Sequence, residues 1–203
     1  MGGYNAGEIA SGMATAFIKS ELSRWLSEAG SGANIREVRR AMEICVDNAN
    51  LSIFNAASSN AQYAGMGTTL VVGVFAGDKL LVGHIGDSRC YRWRAGVLER
   101  ITKDHSLLQE QIDAGLITLE QAATSSIKNL VTRALGVEST VALEVNEYAV
   151  QAGDLYLMCS DGLSDMIDDA AIARILAGDA GLEQTANQLV NAANENGGRD
   201  NIS

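Results

Sequence analysis

Residues 68–101 read TTLVVGVFAGDKLLVGHIGDSRCYRWRAGVLERI, and this stretch decides the fold class. Thr68 to Phe75 is rich in β-branched and aromatic residues, which suit a pleated, half-buried surface. Ala76-Gly77-Asp78-Lys79 reads as a tight turn into a second strand, Leu80 to Ile85. Gly86-Asp87 breaks the run before a third strand, Arg89 to Arg94, and Ala95-Gly96 turns the chain into a fourth, Val97 to Ile101. Four short strands in a row, joined by short turns, predict an antiparallel sheet.

Upstream lie two helical patterns. From Ala6 to Glu28, apolar residues recur at Ile9, Met13, Phe17, Leu22, Trp25 and Leu26. Gly30-Ser31-Gly32 interrupts the pattern, and Asn34 is the expected N-cap of a second helix. That helix carries Val38, Met42, Cys45, Val46, Ala49 and Ile53 on one face, a stripe that reads as core. Downstream, Asp104 is the expected cap of a helix through Ala114, and Thr118 of another through about Thr124. Strands are expected at Val141 to Val145 and Leu155 to Cys159, and helices at Asp169 to Leu176 and Leu182 to Asn194. With no internal repeat and no low-complexity linker, residues 1–203 read as a single α+β domain.

Composition narrows the function classes. Acids outnumber bases 25 to 15, for a net charge of −10. No basic surplus is available to displace counterions from a nucleic-acid backbone, so no nucleic-acid partner is expected. No apolar run approaches the length of a membrane span, and the N-terminus shows no basic segment followed by an apolar one. The reading is a monomeric cytoplasmic protein with no membrane partner. Cys45, Cys90 and Cys159 are odd in number and far apart, with no CxxC pair, so neither a disulfide framework nor a zinc knuckle is supported. Two histidines, His84 and His105, do not suggest a histidine-rich zinc site.

The chemistry-bearing candidates are isolated aspartates. Leu155-Tyr156-Leu157-Met158-Cys159-Ser160-Asp161-Gly162-Leu163 carries an apolar strand straight into an aspartate followed by glycine. Gly198-Arg199-Asp200-Asn201 follows the last helix and leads into Ile202, which reads as a strand start. Val82-Gly83-His84-Ile85-Gly86-Asp87-Ser88-Arg89 again ends a strand in Gly-Asp. Each alone is also what an ordinary turn looks like. Three strand ends, each delivering one carboxylate beside Gly or Asn, form the oxygen-rich environment that Mg²⁺ and Mn²⁺ prefer. Two such ions about 3.5–4 Å apart bridge a water and lower its pKa for in-line attack on a phosphoryl group. Gly65-Met66-Gly67-Thr68-Thr69-Leu70 lacks the third glycine of a dinucleotide fingerprint and leads into a strand. No GxSxG or HExxH motif is present.

These motifs resemble the bacterial type 2C, or PPM, serine/threonine protein phosphatases. The match runs in family order through Met1-Gly2-Gly3 with Ala6-Gly7-Glu8 and Ala10-Ser11, Gly65-Met66-Gly67-Thr68-Thr69, and Gly86-Asp87-Ser88-Arg89. It continues through Asp104-His105-Ser106, Thr132-Arg133-Ala134-Leu135-Gly136, Ser160-Asp161-Gly162-Leu163 and Gly198-Arg199-Asp200-Asn201-Ile202-Ser203. The resemblance implies a four-layer α-β-β-α sandwich of two antiparallel sheets flanked by helices. It implies hydrolysis of phosphoserine and phosphothreonine in proteins by a metal-bridged hydroxide, with Mn²⁺ or Mg²⁺. Phosphorylated proteins, targets of a serine/threonine kinase, are the implied partners. Asp161 and Asp200 match ligands of the dinuclear pair and are the implied catalytic residues, and Asp87 matches a ligand of a third ion. Arg89 and Asn201 match residues that support the ligand loops, and residues 108–129 match a flap beside the site. His105 reads as a capping or packing residue near the flap.

Family members begin with two strands ahead of the Met-Gly-Gly. These carry a phosphate-binding arginine, an acidic ligand and an Asp-Gly whose aspartate bridges both metals, and a final strand follows the position of Ser203. The expectation is a chain truncated at both ends, lacking the first strands and the last, with little or no turnover of its own. A non-catalytic pseudophosphatase that binds phosphoproteins is the alternative. A carboxylate-based metal nuclease is a third reading, disfavoured by the acidic charge.

Overall fold

A computed structural model of the chain describes residues 6–123, 125 and 130–203. The Met1-Gly2-Gly3 motif and flap positions 124 and 126–129 lie outside the described residues. The chain is α+β, with two antiparallel sheets. It divides into two compact units, Met1–Gly86 with Asp104–Ala149, and Asp87–Lys103 with Val150–Ser203.

The first unit opens on helix α1 (Gly7–Ala29) and helix α2 (Ile35–Ser59). Asn34 caps α2 as its sequence predicts. Its side chain accepts from the N–H groups of Arg36 and Glu37, and the Glu37 carboxylate accepts in return from the Asn34 N–H at 2.9 Å. This capping box satisfies donors that a helix start otherwise leaves orphaned. The α2 stripe is buried as expected, from Val38 through Ile53. The α1 face differs from a simple large-apolar stripe. Its buried residues are Ala10, Ala14, Ile18 and Leu22, while Met13, Phe17, Trp25 and Leu26 are only partly buried and Ile9 is exposed.

The sheet of this unit has the order β1-β2-β5, from β1 (Leu70–Ala76), β2 (Lys79–Ile85) and β5 (Glu144–Ala149). Strand β2 is central and buried along nearly its whole length. Strand β5 begins three residues later than the run at Val141 indicates, because its register on β2 starts with Glu144 opposite His84. Helices α3 (Leu107–Asp113) and α4 (Leu119–Ala123) fall on the segment that the resemblance matches to a flap. Ser106, rather than Asp104, caps α3, its hydroxyl accepting from the Gln109 N–H at 3.2 Å. The backbone of His105 is committed elsewhere, to Gly86 and Thr132, so the helix cannot start earlier.

The second unit holds β3 (Arg89–Arg94), β4 (Val97–Arg100) and β6 (Leu155–Cys159) in the order β4-β3-β6. Helices α5 (Asp161–Ser164), α6 (Asp169–Leu176) and α7 (Leu182–Glu195) follow. Tyr91, Cys159, Leu163, Ile172 and Leu189 form its core. Arg94 pairs with Asp154 through two bonds of 2.7 and 2.6 Å, and Asp154 also accepts from the Gln151 N–H and the Tyr156 hydroxyl. This two-bond geometry is the strong form of such a pair, and it fixes the turn that enters β6.

One expectation from the opening stretch is corrected. The four consecutive strands do not form one sheet; β1 and β2 belong to one and β3 and β4 to the other. Each hairpin closes through a two-residue turn, with Ala76 opposite Lys79 and Arg94 opposite Val97. Between β2 and β3 the chain instead passes through Gly86 at φ +99°, and no ladder forms across that break.

Asn50, 1% exposed on α2, tests how this scaffold is held. Its side-chain oxygen accepts from the Gly136 N–H at 2.7 Å and its amide donates to the Glu138 carbonyl at 3.0 Å. Asn50→Leu keeps the volume and removes both partners, leaving a buried N–H unsatisfied. A loss of about 2–3 kcal/mol in urea unfolding, with an unchanged m-value, is expected. A loss below about 0.5 kcal/mol, the range of an ordinary surface change, would show that the bonds are dispensable.

Candidate active site

The aspartates singled out by sequence all fall in the second unit. The β3–β6 register ends with Arg89 opposite Cys159. Two residues before Arg89 stands Asp87 and two after Cys159 stands Asp161, so the same antiparallel pairing delivers both at one end of the sheet. Asp87 is buried, at 8% exposure. Asp161 is not the last residue of a strand but the first of α5, and it is partly buried. Asp200 is exposed, in the irregular segment after α7.

That final segment returns to the end of β6. The Ser160 N–H donates to the Ser203 carbonyl at 3.0 Å. The Ser160 hydroxyl donates to the Asn201 carbonyl at 2.8 Å and accepts from the Ser203 N–H at 3.2 Å. Ser160 therefore spends its side chain on the C-terminal segment and does not cap α5. Gly162 permits the approach: a Cβ there would stand 2.4 Å from the Asn201 carbonyl oxygen, closer than any side chain tolerates. Ile202 forms no regular strand but packs against the core of this unit.

The seam brings Asp161 and Asp200 into electrostatic contact. The Asp161 carboxyl is raised above the usual range, first by burial, then by the negative charges of Asp200 and Asp165; hydrogen bonds from backbone N–H groups oppose this only in part. Carboxylates gathered against their mutual repulsion, with oxygen donors alone, suit a hard divalent cation. The Asn201 N–H donates to Asp200 at 2.7 Å, so Asn201 supports this segment through its backbone. Arg89 donates to the hydroxyl of buried Tyr91 at 3.4 Å.

A second cluster, in the first unit, escaped sequence reasoning. His84, His105 and Glu144 place ligand-type atoms within 4.8 Å of one another. His105 Nε2 lies 3.1 Å from a Glu144 oxygen, its Nδ1 accepts the Gly86 N–H at 3.1 Å, and its ring stacks on His84 with centroids 4.5 Å apart. Burial lowers the pKa of His105, outweighing the bond to Glu144. Burial pushes Glu144 the other way, but bonds from His105 and Asn146 outweigh it and hold the carboxyl below its usual value. Both shifts favour a neutral imidazole beside a carboxylate. The signal available in sequence was slight: the only two histidines lie 21 residues apart, and only the β2–β5 register sets His84 opposite Glu144.

The protein phosphatase 2C family model matches residues 1–202. The serine/threonine phosphatase stp of Listeria innocua is 35% identical over 202 residues, covering all of this chain and 79% of the relative. The structure of the Streptococcus agalactiae serine/threonine phosphatase superposes with a TM-score of 0.89 at 34% identity, covering all of this chain and 81% of the other. The catalytic domain of the serine/threonine protein phosphatase PstP, in complex with two manganese ions, superposes with a TM-score of 0.84 at 36% identity, with coverage of 100% and 81%.

If Asp161 is held against repulsion for a cation's sake, Asp161→Asn will stabilise the metal-free protein, on the order of 0.5–1 kcal/mol. The same variant will lose the gain that Mn²⁺ gives the parent chain, about 2.7 kcal/mol at a hundredfold excess over Kd. Thermal unfolding with and without Mn²⁺ reads both. An unchanged Mn²⁺ response in the variant would remove Asp161 from the site.

Proposed function

Because the chain belongs to the protein phosphatase 2C family of serine/threonine phosphatases, we propose that it hydrolyses phosphoserine and phosphothreonine in proteins with Mn²⁺ or Mg²⁺ held by Asp161 and Asp200, and with a further ion at Asp87. The observation that carries this reading is the Ser160–Asn201 seam, which sets Asp200 beside half-buried Asp161. When bound, divalent ions activate water and neutralise charge on a phosphoryl group. The chain's own residues supply the rest. Asp161 follows the end of β6, Asp200 is oriented by its bond from the Asn201 N–H, and Asp87 precedes the start of β3 at the same end of the sheet. Phosphorylated proteins are the substrates of this reading, and the three free, buried cysteines fit a reducing, cytoplasmic setting.

A thiol-based phosphatase reaction has no support. Such a nucleophile needs an accessible thiol of lowered pKa. Cys45, Cys90 and Cys159 are all buried, burial raises Cys45, and burial pushes Cys90 up to about 12.

Phosphate release from a phosphothreonine peptide is the direct test. It is run on Met1–Ser203 and on a form carrying the Asp-Gly that the family resemblance sets before Met1. Mn²⁺-dependent release is expected from the extended form, with a loss of at least about 100-fold in Asp161→Asn or Asp200→Asn, since removing even a group that only supports a metal ligand costs about 10–100-fold. Release that survives chelation of the metal, or survives both substitutions, would refute the assignment. Mn²⁺ binding without release by the extended form would leave a phosphoprotein-binding module.

A further inference from the structure

Gly86 is gripped from both sides by one residue. The His105 N–H donates to the Gly86 carbonyl at 2.9 Å, and the Gly86 N–H donates to His105 Nδ1 at 3.1 Å. The peptide groups flanking the Gly86 Cα are therefore both tied to His105. Gly86 sits at φ +99°, and a Cβ there would stand 2.4 Å from the Thr69 methyl carbon. The conformation is thus enforced by close packing as well as by the clamp. His105 is itself held. Its carbonyl accepts the Thr132 N–H at 2.8 Å, its Nε2 faces Glu144, and Glu144 is steadied by the Asn146 amide at 3.0 Å. His105 is 7% exposed, and its ring stacks on that of His84, which is 1% exposed.

This cluster has the composition of a metal site but not its hydrogen-bond logic. Because Nδ1 accepts an N–H, a neutral ring must carry its proton on Nε2, where it points at Glu144. No ring lone pair of His105 remains for an ion. The rings also lie only 15° from parallel, so in-plane lone pairs run side by side rather than converge.

We propose that Glu144 and His105 form a positioning relay for the candidate metal ligand Asp87: Glu144 fixes the tautomer of His105, and His105 fixes the Gly86 turn from which Asp87 departs as the next residue. The inference rests on the reading of Asp87 as a metal ligand given above. It assigns His105 a role in orienting a ligand-bearing backbone, beyond capping or packing. The physical parallel is the carboxylate–imidazole pair behind many metal ligands, whose loss typically costs about 10–100-fold in metal affinity. Here the imidazole orients a peptide instead of binding the ion.

Two measurements test it. The first uses the unaltered chain, whose two histidines make assignment simple. A ¹⁵N–¹H two-bond correlation spectrum at neutral pH should show His105 as the Nε2–H tautomer; an Nδ1–H tautomer or a doubly protonated ring would overturn the relay. The second is Mn²⁺ affinity by calorimetry. His105→Gln preserves a donor toward Glu144 but has no acceptor at the Nδ1 position, and should weaken binding at the Asp87-dependent site at least about tenfold. His105→Asn restores an acceptor at that position and should return affinity to within about threefold of the parent. Equal affinity in His105→Gln and the parent, or equal losses in both variants, would overturn the proposal. Asp87→Asn separates the two levels of argument. If it leaves Mn²⁺ binding unchanged, the reading of Asp87 fails and takes the relay with it. If it weakens binding while His105→Gln does not, the reading stands and only the relay fails.

Discussion

Between Ile85 and Arg89 the chain leaves one sheet and enters the other within three residues, and the step is set by the backbone of Gly86 at φ +99°. Thr69 fills the space where a side chain would project, and His105 binds the peptide on either side. If that turn were an ordinary hairpin, β3 would pair with β2, and the second sheet would lose its central strand. Asp87 would then no longer stand at the head of the strand whose register runs to Asp161. The step between the two sheets and the departure of Asp87 thus share one constrained residue, held by the packing of Thr69 and by the bonds of His105.

The candidate site is built against its own electrostatics. An aspartate at the start of a short helix, beside Asp200 and Asp165, is worse off in the metal-free fold than it would be in water. The structure tolerates this because the seam uses neutral backbone bonds. Ser160 contributes both its N–H and its hydroxyl to the last residues of the chain, and Gly162 gives up a side chain so that the Asn201 carbonyl fits. The forces that assemble the segment are therefore separate from the charges it presents. Such separation is what a site needs if its groups are to be suited to a ligand rather than to each other.

Much of this was legible in sequence, for identifiable reasons. Helix α2 announced itself through Asn34 and a continuous stripe, because capping and amphipathicity are local. Strand β6 fell where its apolar run placed it, and helix α6 where its amphipathic pattern did. What sequence could not reveal was pairing. The run at Val141 has strand composition, yet the strand starts at Glu144 because its register on β2 decides. Asp104 has the chemistry of a cap, yet Ser106 caps because His105 is already bound across the sheet end. The three aspartates could be named singly from Asp-Gly and Asp-Asn, but the partnership of Asp161 with Asp200 depends on hydrogen bonds between residues 41 and 43 apart. The His84, His105 and Glu144 cluster was invisible for the same reason.

Seven motifs carried the family resemblance, and four of those among the described residues are joined by backbone and packing contacts. Thr68 and Leu135 exchange backbone bonds of 3.1 and 2.8 Å, which joins the Gly65–Thr69 motif to the Thr132–Gly136 motif. The Thr132 N–H binds the His105 carbonyl, which adds the Asp104–Ser106 motif, and His105 grips Gly86. Gly67 and Gly136 lie against Val137 and Ile53 so closely that a Cβ would meet them at 2.7 and 2.2 Å. Glycines required by packing read in sequence like glycines required by a ligand. Of these four motifs, one carries the candidate ligand Asp87, and the other three form a hydrogen-bonded chain that ends on the Gly86 of that motif. A residue within such a belt can therefore be as restricted by packing and backbone bonds as a ligand is by its ion.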